Sequence, residues 1–101
     1  MQSPRLSHSA ALILKALSLG YCFGLDVMEV TGLPSGTVYP ALRRLERDKL
    51  VESKWEPEEE AIASKRPARR YYEVTRAGKA AALAVTERYP LLAHLVSEKR
   101  S

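Results

Sequence analysis

The stretch Ser35-Gly-Thr-Val-Tyr-Pro-Ala-Leu-Arg-Arg-Leu-Glu-Arg47 leaves few choices of conformation. At about 100° per residue, Val38, Ala41, Leu42 and Leu45 share one sector of a helical wheel. Gly36, Pro40, Arg43 and Arg47 fall opposite, flanked by Thr37, Tyr39 and Arg44. The spacing predicts a helix over 35–49 whose outer face is small near its start and arginine-rich farther along. Ser35 is the expected N-cap. Pro40 forfeits one backbone bond and can kink the helix, while Gly36, four residues earlier, adds no side chain to the crowding. Gly32-Leu33-Pro34 predicts a turn immediately before it.

The rest of the chain frames this helix. Ser7 or Ser9 can cap a first helix bearing Leu12, Ile13, Ala16, Leu17 and Leu19, which Gly20 ends. A short second helix is expected over Leu25 to Thr31, with Leu25, Met28 and Val27 inward. Leu50 to Trp55 reads as a strand with Val51, Ser53 and Trp55 on one side, and Tyr71 to Val74 as a second. Between them, residues 56–70 are too polar for a tight hairpin and predict a long, mobile wing. Thr75 caps a last helix that is Ala-rich from Ala77 to Ala84, meets Pro90, and continues apolar through Leu91, Leu92, Leu95 and Val96.

The order helix, helix, helix, strand, wing, strand, helix is that of a winged helix-turn-helix: mostly α with a small β-hairpin. With 101 residues the chain is one domain, comprising a helix-turn-helix unit over about 8–74 and a terminal helix over about 75–97. No apolar run approaches the roughly 20 residues of a membrane helix. Met1-Gln-Ser-Pro-Arg-Leu lacks a signal-peptide core, and Cys22 is the single cysteine, so a cytoplasmic location is expected.

The net charge of +4 is unevenly spread. Residues 35–49 hold four basic and two acidic side chains, residues 65–70 four basic and none acidic, and residues 50–64 one basic and five acidic. A basic helix and a basic hairpin in one small domain point to a phosphate-rich partner, with a solvated surface as the plainer reading.

These residues resemble the PadR family of phenolic-acid-decarboxylase-repressor-like transcriptional regulators. The resemblance is carried by Leu33-Pro-Ser-Gly-Thr-Val-Tyr-Pro-Ala-Leu-Arg-Arg-Leu-Glu-Arg-Asp-Lys-Leu-Val51, by Trp55, and by Arg66-Pro-Ala-Arg-Arg-Tyr-Tyr-Glu-Val-Thr-Arg-Ala-Gly78, and it spans about residues 10–85. It implies a homodimeric winged-helix regulator, usually a repressor, whose last helix helps build the dimer. The chain looks like the short kind, with one terminal helix.

On this reading Ser35, Thr37, Tyr39, Pro40, Arg43, Arg44 and Arg47 are the candidate contacts of the third helix with double-stranded DNA, because helix-turn-helix domains place that helix in the major groove. Tyr39 could instead pack at the helix edge. Lys65, Arg66, Arg69 and Arg70 are expected at the wing, exposed and suited to phosphate. Glu58, Glu59 and Glu60 would repel phosphate, so that arm points away from DNA or is disordered when free. Leu83, Leu91, Leu92 and Leu95 are the candidate dimer contacts. Trp55, Tyr71 and Tyr72 are expected in core and sheet packing, with binding of a small-molecule effector as the sharper alternative.

His8 and His94 have no ligand spacing around them, and no metal or other cofactor is expected. The sequence offers no glycine-rich phosphate loop and no plausible Ser/His/Asp set, so no enzyme is predicted. The rival to DNA binding is a winged-helix module that binds only protein.

Overall fold

The computed structural model describes residues 6–88. It contains α1 (His8–Ser18), α2 (Gly24–Thr31), α3 (Ser35–Arg47), β1 (Val51–Trp55), α4 (Glu58–Ala63), β2 (Arg70–Val74) and α5 (Arg76–Arg88). The winged helix-turn-helix expected from the sequence is the fold observed. Ser7 caps α1, its hydroxyl accepting from the Ala10 amide at 3.1 Å. The core gathers Ile13 and Leu14 of α1, Val27 of α2, Val38, Leu42 and Leu45 of α3, and Val51 of β1. Two apolar helix faces and a hairpin thus close around α3, which sets α3's outer face toward solvent.

The helix ends explain several boundaries. α1, α3 and α4 each finish in a Schellman turn, with paired 6→1 and 5→2 amide bonds. In α1 these are Tyr21 to Ala16 and Gly20 to Leu17, with Gly20 left-handed. In α3 they are Leu50 to Leu45 and Lys49 to Glu46, and in α4 Arg66 to Ala61 and Lys65 to Ile62. Lys49 and Lys65 occupy the left-handed position at φ 63° and 56°, where glycine is usual. α3 therefore stops at Arg47 instead of running to residue 49. At its start the N-cap is Pro34, whose carbonyl accepts from the Thr37 and Val38 amides at 2.9 and 3.0 Å. This corrects the expected Ser35 cap: Ser35 is the first helical residue, and its hydroxyl caps nothing.

Two other expectations are corrected. Leu25 is 63% exposed; Val27 turns inward as expected, and Val30, three residues on along the same face, takes the inward place of Leu25. Trp55, expected in the sheet packing, is 66% exposed, whereas Tyr72 is buried and Tyr71 half-buried.

β1 and β2 pair antiparallel from Val51↔Val74 to Trp55↔Arg70. The hairpin is tied to the helix-turn-helix by a bridge of Phe23 with Tyr71 and by the Tyr72 amide donating to the Cys22 carbonyl at 2.8 Å. The wing is not a bare loop. Pro57 opens α4, three glutamates fill its first turn where the helix dipole favours them, and Ala61 is buried.

Thr75 opens α5 as expected, its hydroxyl accepting from the Gly78 amide at 3.0 Å and donating to the Lys49 carbonyl at 2.8 Å. Gly78 backs directly onto the Leu50 carbonyl. Ala82 and Val85 are buried, and Leu83 is 63% exposed. Leu91, Leu92 and Leu95 lie outside the described residues.

Candidate nucleic-acid interface

α3 follows α2 across the Gly32-Leu33-Pro34 turn. Gly32, at φ 76°, ends α2 and donates to the Met28 carbonyl at 2.8 Å. The burial of Val38, Ala41, Leu42 and Leu45 fixes the rotation of α3, so Ser35, Gly36, Tyr39, Arg43, Arg44 and Arg47 are exposed and Thr37 and Pro40 are half-buried. Pro40 is accommodated without a break in the helix. Its missing N–H would have served the carbonyl of Gly36, an exposed position where water can take it.

Arg43 and Arg44 have no acidic partner among the described residues. Arg47 lies 3.4 Å from Asp48, but the pair is exposed and weak. Tyr39 keeps 36% of its surface exposed, and its ring rests on the Gly24 backbone at the start of α2, where a Cβ would come within 2.5 Å of the phenol oxygen. Tyr39 thus both packs at the helix edge and faces solvent. With Phe23, Gly24, Leu25, Arg69, Arg70 and Tyr72 it lines a shallow open cleft.

The wing arginines differ from one another, which sequence reasoning did not foresee. Lys65 is exposed and has no acidic partner among the described residues. Arg70 donates to the Ser53 hydroxyl at 2.6 Å and lies 3.5 Å from Glu46, and its guanidinium sits 6.0 Å from the Trp55 ring centroid. Arg66 and Arg69, expected to be exposed and free, converge instead on Glu56, whose side chain is only 7% exposed.

Arg66 grips both oxygens of Glu56 with its two Nη groups, and the Arg69 backbone amide donates to Oε1 at 2.9 Å. The Arg66 hydrogen bonds hold the Glu56 carboxyl down at about 2, with the Arg69 bonds adding to them against the opposing effect of burial. A lone Glu before Pro57 carries no sequence signal for this role.

Elsewhere, burial pushes the Cys22 thiol and the Tyr72 phenol up, and a 2.9 Å pair with Glu73 raises exposed Lys54. Among the described residues no cluster of three His, Cys, Asp or Glu side chains could hold a metal, and no helix is long and apolar enough to cross a membrane.

The transcriptional regulator PadR-like family model matches residues 13–84, which is most of the chain. The chain belongs to the PadR-like family. It is accordingly a DNA-binding transcriptional regulator and not an enzyme. Solved structures agree in fold. A PadR family transcription regulator from hypervirulent Clostridium difficile superposes with a TM-score of 0.72 at 22% identity, covering 94% of this chain and 100% of that one. A PadR-like transcription factor from Bacteroides fragilis gives 0.66 at 22% identity over 88% of this chain and 86% of its own. Bordetella bronchiseptica BpsR, described in terms of regulation of its DNA binding by 6-hydroxynicotinic acid, gives 0.64 at 21% identity over 97% of this chain and 67% of its own. No curated protein matches this PadR-like chain significantly.

Proposed function

We propose that this PadR-like chain acts in the cytoplasm as a homodimeric repressor that sets α3 in the major groove of its operator and the wing on the adjacent backbone. The observation that carries the reading is the outer face of α3. Arg43 and Arg44 stand exposed with no acidic partner among the described residues, on a helix whose other face is locked into the core. Arginine in that setting can pair with guanine edges or bridge phosphates. Ser35, Thr37, Tyr39 and Pro40 lie nearer the end of the helix that such domains present first.

Leu83 supports the dimer, being an exposed leucine on the helix that follows the wing. Two protomers are needed to read half-sites about 34 Å apart, and a symmetric pairing of α5 and the residues after it supplies them. A small-molecule effector would sit in the cleft lined by Tyr39, Phe23 and Tyr72, where an aromatic ligand would lift the Tyr39 ring from Gly24 and so disturb α3.

The test is to sequence the genomic fragments retained by the purified protein and to measure salt-dependent binding to the recovered duplex. Selective, salt-sensitive binding supports the reading. Equal, negligible binding to every duplex would favour the protein-interaction module instead.

A further inference from the structure

The most completely built polar cluster in the described structure lies at the base of the wing. Glu56 and Arg69 continue the hairpin one step past Trp55↔Arg70, with the Glu56 amide donating to the Arg69 carbonyl at 2.9 Å. The Glu56 carboxylate then accepts from the Arg69 amide, from both Nη groups of Arg66, and at 3.4 and 3.5 Å from Nε and Nη2 of Arg69. Arg66 is fixed from the other side, because its amide closes the Schellman turn of α4. The guanidinium carbon of Arg69 lies 3.8 Å from the centroid of Phe23, the residue that precedes α2 and meets Tyr71 edge-on at 6.3 Å. A continuous path therefore runs from α4 through Arg66, Glu56 and Arg69 to Phe23 and α2.

We propose that Glu56 is a positioning residue for DNA binding: it holds Arg66 and Arg69 as a strut that clamps the wing to the start of α2, and it leaves the wing's phosphate contact to Lys65. The proposal rests on the DNA-binding reading above and divides the wing's cations by role. A phosphate that drew Arg66 or Arg69 away would break charge-assisted bonds to a buried carboxylate, which is more unfavourable than one surface phosphate contact is favourable. Lys65 has no such tie. It stands one residue before Arg66, in a left-handed conformation that projects it from the end of α4.

The test compares Lys65→Gln, Arg66→Gln, Arg66→Lys and Glu56→Gln by two readouts. The first is amide exchange of the free protein at Tyr72, whose N–H bonds Cys22 and so reports the clamp. The second is the slope of log affinity against log salt, to which each phosphate contact contributes about 0.9. Lys65→Gln should lower the slope by about 0.9 and leave Tyr72 exchange unchanged.

Arg66→Gln should speed Tyr72 exchange and leave the slope unchanged, although affinity falls. Arg66→Lys, which keeps the charge but loses the planar fork, should also speed exchange, so the claim stays testable if Glu56→Gln folds poorly. Glu56→Gln should speed exchange and steepen the slope as the arginines come free. A slope lowered by about one in Arg66→Gln with exchange unchanged would overturn the strut. A wild type with no salt-dependent binding would overturn the DNA reading and the positioning role together.

Discussion

Replacing Gly78 with alanine should destabilise the protein, although the same change inside most helices stabilises. A Cβ on Gly78 would fall well inside contact distance of the Leu50 carbonyl oxygen and 2.6 Å from Cγ1 of Val74. The carbonyl is backbone, fixed by the bond it accepts from the Thr75 amide at 3.0 Å, and cannot rotate away. Overpacking of this kind costs about 1–3 kcal/mol, and a rigid neighbour puts it at the upper end. Alanine's helix propensity returns about 1 kcal/mol, leaving a net loss of about 2 kcal/mol. For a domain of this size that lowers Tm by roughly 8–16 °C.

Gly36→Ala is the matched control, since a Cβ there meets nothing within 4 Å. It should gain about 0.5 kcal/mol, or roughly 2–4 °C. Both are read by thermal unfolding followed by circular dichroism at one protein concentration, because self-association of the kind proposed above would make Tm concentration-dependent. A Gly78→Ala protein as stable as the wild type would refute the seating of α5 against the α3–β1 turn.

Three further outcomes follow from the same structure. Lys49→Gly should stabilise by about 0.5–1 kcal/mol, because it removes a left-handed non-glycine residue from a Schellman turn, and chemical denaturation will read the shift in midpoint. Because the Glu56 carboxyl is held at about 2 from an ordinary 4.5, its contribution to stability is complete above pH 4.5 and is lost as the pH falls toward 2; Glu56→Gln should flatten that part of the stability–pH curve. Leu83→Asp should leave the fold of one protomer within about 0.5 kcal/mol, since the side chain is already 63% exposed, yet should shift sedimentation of the proposed dimer toward the monomer; sedimentation identical to the wild type would remove Leu83 from the proposed interface.

What the sequence disclosed and what it concealed divide along physical lines. α3 was legible because Val38, Ala41, Leu42 and Leu45 repeat at helical spacing with arginines opposite, and periodicity is a local property. Thr75 was legible as a cap for the same reason. The position of the α3 cap was not: serine is a common cap, but Pro34's extended backbone presented its carbonyl first. α4 was concealed because its stop uses Lys65 in the position where a glycine would have signalled a turn. Leu25 was misplaced because a helix of eight residues gives too little periodicity to fix its rotation.

The candidate site shows the same limit. Arg43, Arg44 and Lys65 stand exposed as their setting suggested. Arg66 and Arg69 are joined to a glutamate ten and thirteen residues away, a pairing set by the hairpin register and the turn of α4 and by no local spacing.

The central claim is that the arginine face of α3 reads DNA. Fluorescence anisotropy of the wild type and Arg43→Ala on a selected duplex and on a scrambled one, at several salt concentrations, tests it most directly. The wild type should prefer the selected duplex by about a thousandfold or more, in keeping with specific regulators. Arg43→Ala should lose about 1–3 kcal/mol on the selected duplex with preference relaxed at one position. A folded Arg43→Ala protein with unchanged affinity and unchanged preference would contradict the account.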